Sequence, residues 1–272
     1  MTATVGAHAW TRTETPAGPG PGATLRAEWV KFWTVRSTPW ALVAMFVLGA
    51  GLTTLVCALS AEALARGDVG EPVGAFVTWG MMFAQVTAVV LGALVVTSEY
   101  GTGMIRATLA ATPRRGAVLA AKAAVLASTL FVAGTLTALA GYLGGDWFLD
   151  REGIGLALTD DGVLRSIVGS GLYMAGLGLF AAGVGLLVRH TAAALAVVLG
   201  LVFVVGNLVM VLPGAWGEWT TKLMPGNAGS AIATPESFNP LLLDPWVGFA
   251  VFAAEVAAVL ALAAVVFTRR DA

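Results

Sequence analysis

Charge is scarce in this sequence. Only 11% of its 272 residues are Asp, Glu, Lys or Arg, against about 25% in a soluble domain, and 58% are apolar. Net charge is −1, so bulk charge points to neither nucleic acid nor an acidic partner. Cysteine is nearly absent: the single Cys57 lies in an apolar run, which excludes a disulfide framework. The two histidines, His8 and His190, lie in unrelated segments, so no His/Cys metal site is expected. There is no G-x-x-x-x-G-K-[ST], so ATP is not hydrolysed through a P-loop of this chain. There is no H-E-x-x-H, and no carboxylate pair at helical spacing inside an apolar run. Ser170 stands in a V-G-S-G-L run, where Val168 breaks the nucleophile-elbow pattern. No catalytic residue, bound metal or cofactor is therefore expected on this chain.

What is present in quantity is apolar length. A spanning helix needs roughly 20 apolar residues, and six stretches qualify. They are Trp40–Ala61, Val73–Thr97, Ala123–Leu143, Ser166–Val188, Ala192–Leu212 and Trp246–Phe267. Backbone in lipid must satisfy its own hydrogen bonds, so these runs predict helices, and the short alternating segments of a barrel are absent. The expected fold is an all-α membrane protein with six spans in a single domain over residues 24–272. With the N-terminus inside, the inner segments hold eleven of the fifteen basic residues, which predicts a plasma-membrane protein with both termini cytoplasmic.

Residues 1–23 are rich in Gly, Pro, Thr and Ala and are expected to be disordered. No apolar run begins before residue 40, so nothing there reads as a signal peptide. The next stretch, Thr24–Arg36, places Leu25, Trp29, Phe32 and Trp33 on one helical face, with Arg26, Glu28 and Lys31 elsewhere. This predicts an interfacial helix, ending at Arg36, that lies in the lipid headgroups. Its function is open between an anchor for the first span and an elbow that also touches a cytoplasmic partner. Thr38 offers an N-cap and Pro39 a first helical position for that span.

Small residues draw stripes on two spans. Gly171, Ala175, Gly178, Ala182 and Gly185 line the fourth; Ala120, Ala124, Ala127, Gly134, Ala138 and Gly141 line the third. Such stripes let backbones approach and read as intrachain packing faces. Three polar residues stand out inside the spans: Gln85, Asn207 and Glu255. Glu255 lies about 14 Å along the last span from Trp246, near the midplane. A carboxylate there must face protein or water, or be protonated, and reads either as a helix-locking group or as a proton or substrate contact.

The densest signal is Thr97–Lys122, TSEYGTGMIRATLAATPRRGAVLAAK, which holds four of the fifteen Lys and Arg residues between two uncharged runs. It reads as a short connector outside the membrane. Gly101 and Gly103 are expected to break the helix, Met104–Ala111 to form a short helix, and Pro113 to stop or redirect it.

Here the sequence resembles a known family. Glu99-Tyr100-Gly101-Thr102-Gly103, then Ile105-Arg106, Leu109 to Thr112-Pro113, Arg114-Arg115 and the closing Lys122 are similar to the loop between spans two and three of type-2 ATP-binding-cassette permeases. The likeness is to the short exporter permeases of actinobacteria. It extends to Arg26–Thr38, Leu223–Ile232 and the terminal Phe267–Ala272, and covers the chain from about residue 25 onward. The resemblance implies a permease subunit of an exporter for an apolar or amphipathic molecule. A separate ATPase subunit would carry ATP and Mg, and a second permease copy would complete the membrane part, with lipid around it. Glu99, Gly101, Gly103, Arg106, Thr112, Pro113, Arg114, Arg115 and Lys122 would then form the coupling element. The same charges could serve topology alone. The resemblance also implies re-entrant helices between Gly214 and Pro245; from residues alone, an interfacial loop with Trp anchors fits as well. Two other functions stay open: a membrane component of a toxin-immunity or sensing complex, and a proton-coupled secondary transporter using Glu255. Inverted repeats would mark the latter, and none is visible.

Overall fold

The structure, a computed structural model, describes residues 20–112, 114–236 and 242–269. The protein is 83% helical, with no strand among the described residues. Six helices are long and apolar enough to cross a membrane: Ser37–Ala65, Met81–Gly101, Arg115–Arg151, Val163–Val188, Thr191–Leu208 and Pro245–Arg269. This is an all-α, multi-pass membrane protein. Residues 1–19, expected to be disordered, lie outside the described residues; the helix expected over residues 24–36 runs over Pro21–Thr34.

The fourth span is the hub. Of its most apolar window 72% is buried, against 17% in the last span, so the fourth is ringed by protein while the last faces largely outward. Its small-residue stripe is the seam expected. A Cβ at Gly178 would meet Leu130 of the third span, and one at Gly134 would lie 3.1 Å from the Cα of Gly171. Gly92 of the second span meets the Gly178 backbone directly; a Cβ there would sit 2.9 Å from the Gly178 Cα, which only glycine avoids. The third-span stripe is only half a seam: Gly134, Ala138 and Gly141 are buried, but Ala120 and Ala124 are exposed.

Several boundaries differ from the sequence reading. The second spanning helix starts at Met81, because residues 73–80 form a 3-10 segment and turns. Gly80 there donates its N–H to Thr53 Oγ1 at 2.9 Å, beside a π-helical turn at Val47–Gly51 in the first span. A Cβ at Gly80 would lie 2.8 Å from Leu48 O, so the widened turn and a glycine together permit this backbone contact. The third helix runs from Arg115 to Arg151, 37 residues. That is about 55 Å, longer than a bilayer core of roughly 30 Å. Arg115 and Lys122, read as connector residues, are therefore part of a projecting span. The first span starts at Ser37 without a side-chain cap, so Thr38 is not its N-cap, although Pro39 does fall in the first turn.

Between the last two spans, Gly214–Leu223 is a surface helix with Trp216 and Trp219 exposed. Pro225–Ser230 and Ala231–Ala233 then re-enter the bundle, where Ile232 is fully buried and a Cβ at Gly169 would lie 3.0 Å from its side chain. Arg165 Nη2 donates to Pro235 O at 2.9 Å and closes the re-entrant turn onto the fourth span. The segment thus combines a Trp-bearing surface helix with a buried re-entrant hairpin.

Candidate functional site

The elbow helix, Pro21–Thr34, docks by a face that its apolar pattern does not announce. Leu25, Trp29 and Trp33 are exposed, while Thr24, Glu28 and Phe32 are buried at successive turns. The Trp29 and Trp33 rings pair at 5.7 Å on the outward face, suited to a headgroup layer. Glu28, which lies off the apolar face in the sequence pattern, is only 5% exposed. The reason is electrostatic: Lys31 on its own helix and Lys122 on the third span both pair with it.

Four charges from three helices meet here. Glu28 and Lys31 come from the elbow helix, Glu99 from the end of the second span, and Lys122 from the third. Lys122 Nζ lies 2.9 Å from Glu28 Oε2 and 2.9 Å from Glu99 Oε1, and donates to Val95 O at 3.2 Å. Lys31 Nζ pairs with Glu28 Oε1, lies 2.9 Å from Glu99 Oε1, and reaches Thr108 Oγ1 at 3.5 Å. Each ammonium has three protons, and each therefore faces three acceptors. Both Glu28 oxygens are engaged, and Glu99 Oε1 is engaged twice. Glu99 Oε2 is buried with no hydrogen-bond partner among the described residues. The cluster is formally neutral.

Lys31 lies outside the spans. Burial lowers its affinity for a proton, but hydrogen bonds to Glu28 and Glu99 and their negative charge outweigh that, so its pKa is raised above 10.5. The cluster lines a small cleft of about 80 Å³ between the elbow helix and the second span, walled by Phe32, Leu91, Leu94 and Met104.

Beyond Glu99 the chain turns back into a short helix. Gly101 remains helical, so it does not break the span as expected; Gly103, at φ 72°, does. The left-handed conformation there favours glycine and reverses the chain into Met104–Ala111. That short helix buries Ile105 and touches the cluster through Thr108. Thr112 closes it, buried at 9% exposure, and Pro113 lies outside the described residues. Arg106 and Arg114 are exposed and form no ion pair among the described residues. Arg115 behaves differently: its Nη1 donates to Phe267 O at 2.9 Å and its guanidinium lies over the Phe267 ring. It holds the last turn of the last span, where helix carbonyls lack partners and a cation is favoured. Arg36, at the elbow between the first two helices, is exposed.

The intramembrane polar residues do not form one site. Tyr173 donates its hydroxyl to Gln85 Oε1 at 2.7 Å, and Gln85 Nε2 donates to Met82 O at 2.9 Å. Gln85 and Asn207 both line a second cavity, of about 250 Å³, beneath the re-entrant hairpin at the opposite end of the bundle. Glu255 lines neither cavity, and its Oε2 has no partner among the described residues. Gln85 is engaged by Tyr173 and Met82.

Sequence reasoning named Glu99, Lys122 and Lys31 but missed Glu28 and Thr108. The signal was available in the i, i+4, i+8 row Thr24, Glu28, Phe32, which carries one acid matched to the later Lys122. A comparison with protein-family models and with curated proteins finds no match.

Proposed function

We propose that this protein is the transmembrane permease subunit of an ATP-driven ABC exporter, paired with a separate ATPase subunit and a second permease copy. The reading places both chain ends and the connector in the cytoplasm, in agreement with the bias of basic residues. One observation carries it: the exposed Arg106 sits on a short helix whose other face is wired to a buried charge cluster joining three helices. A surface loop that needed charge only for topology would not require Glu99 and Lys122 to be buried and paired. A docked ATPase pressing on Met104–Ala111 moves Thr108, and through Lys31 and Glu99 it moves the elbow helix and the second span together.

The residues divide by role. Arg106 and Arg114 offer positive charge to acidic groups on the ATPase. Gly103 and Thr112 bound the lever. Glu28, Lys31, Glu99 and Lys122 transmit its position. The test is copurification. Tagged wild-type protein, extracted from its native membrane in mild detergent, should retain an ATPase of a different chain. Arg106→Ala with Arg114→Ala should lose it while keeping the wild-type thermal transition. A wild-type protein that retains no ATPase, or a double variant that retains it fully, overturns the reading.

A further inference from the structure

Three breaks in regular helix meet around the second cavity, at the end of the bundle away from the connector. Residues 73–80 bring Thr78 and Trp79 to it from the 3-10 segment and turns before the second span. The π-helical turn Gly200–Val205 of the fifth span brings Val202 and Phe203, and the re-entrant hairpin brings Asn227 and Ser230. The hairpin rests on that turn: a Cβ at Gly226 would lie 3.3 Å from Val202 O. Irregular backbone at membrane depth is tolerated where it is buried in protein or lines a wet cavity, and π-helical turns gather at functional sites. At about 250 Å³ the cavity is just below the range of roughly 300–1,000 Å³ usual for ligand sites, so it suits a small molecule.

Its lining selects by chemistry. Trp79, Phe203, Met81 and Met82 supply polarisable apolar surface, and no charged side chain lines it. The Tyr173 hydroxyl fixes the buried Gln85 amide through Oε1. Asn227 Nδ2 donates to Thr221 O at 3.0 Å and Gly206 O at 3.4 Å, and Asn207 Nδ2 donates to Phe203 O. Neither asparagine Oδ1 accepts a hydrogen bond among the described residues, and neither side chain is sealed: Asn227 is half-buried and Asn207 is exposed. Open acceptors in an uncharged site favour a neutral donor. A carboxylate brings only further acceptors, and an ammonium finds no counter-charge. We propose that this cavity binds a small neutral aromatic alcohol, its ring against Trp79 and Phe203 and its hydroxyl donating to Asn207 Oδ1 at the exposed edge. The site stands apart from the exporter reading. Its use rests on that reading, on which the ligand is of the exported class and is held at the end from which it leaves.

The test uses the purified full-length protein in nanodiscs, without ATP or any ATPase. Photoreactive para-(trifluoromethyldiazirinyl)benzyl alcohol, benzylamine and benzoate are crosslinked, and the labelled residues are mapped. The alcohol should label cavity residues saturably, with a half-saturation concentration about tenfold below those of the two charged probes. Thr234→Trp, at a half-buried lining position, should abolish that labelling. Asn207→Leu keeps the side-chain size, removes the acceptor and should weaken the alcohol about tenfold, the scale of one hydrogen bond. Asn207→Asp adds the missing counter-charge at an exposed position and should invert the preference toward the amine, a gain that a misfolded variant cannot produce. Equal labelling by all three probes, preference of the wild type for a charged one, no saturable labelling, or no inversion in Asn207→Asp overturns the site. Failure here leaves the copurification result standing. Failure to copurify an ATPase leaves the binding site standing and removes only its role in export.

Discussion

Lys122→Met removes the cation at the centre of the charge cluster. Lys122 is 10% exposed at its side chain and faces Glu28, Glu99 and the Val95 carbonyl. Its loss leaves two buried carboxylates sharing one ammonium, a net charge of about −1 where little water can reach. Removing one partner of a buried pair costs about 3–5 kcal/mol, mostly through the stranded charge. Lys31 is 29% exposed, so solvent and headgroups compensate more of its loss, and Lys31→Met should cost roughly 1 kcal/mol. Adding Glu99→Gln to Lys122→Met restores neutrality, with Glu28 and Lys31 still paired, and should recover more than about 1 kcal/mol. The assay is thermal unfolding of detergent-solubilised protein followed by intrinsic tryptophan fluorescence. Lys122→Met should lower Tm on the order of 10 °C, with the double variant well above it. A Tm near wild type for Lys122→Met, or a double variant lower than the single, would refute the cluster as a buried, mutually dependent unit.

Three other outcomes follow from the same geometry. Because the folded-state pKa of Lys31 is raised, its contribution is constant from neutral pH up to the unfolded value of 10.5 and is lost as pH rises through the higher folded value; elbow-helix docking, read from Trp29 and Trp33 fluorescence, should therefore weaken only above that value, and a loss at acidic or neutral pH from this lysine would contradict it. Glu255→Leu should leave Tm unchanged or raise it, since Glu255 Oε2 has no partner among the described residues; a loss of several degrees would show that a partner exists. Single cysteines at Asp68, Asp161 and Glu218, in a Cys57→Ala background, should react with an impermeant thiol reagent on intact cells, whereas a cysteine at Gly116 should not; labelling at Gly116 alone would invert the orientation.

Six spans were legible in the sequence because hydropathy over some twenty residues directly reflects the one constraint lipid imposes. The stripe on the fourth span was legible for a related reason: without a hydrophobic drive between helices, close approach needs small side chains, and Gly171 to Gly185 spell it out. Boundaries were less so. Val73–Gly80 is as apolar as a span, but the contact between Gly80 and the π-helical turn of the first span keeps it out of the helix. The burial of Glu28 was not legible because periodicity sorts a helix into apolar and polar faces, whereas here the row Thr24, Glu28 and Phe32 meets protein while Leu25, Trp29 and Trp33 stay exposed. Arg115 was read together with Arg106 and Arg114 because the three share a charge and a segment. Only the return of the last span to the same end of the bundle separates them, placing Phe267 O within reach of Arg115 alone.

The connector's role is tested most directly by crosslinking from it. A photoreactive residue placed at Arg106 in the full-length protein, in its native membrane, should yield a covalent adduct with an ATPase chain, and the same residue placed at Glu218 on the opposite end should not. The adduct should diminish when Lys122→Met loosens the cluster beneath the short helix. Recovery of an ATPase from neither position, or from both equally, would contradict the assignment of Met104–Ala111 as the surface on which ATP hydrolysis acts.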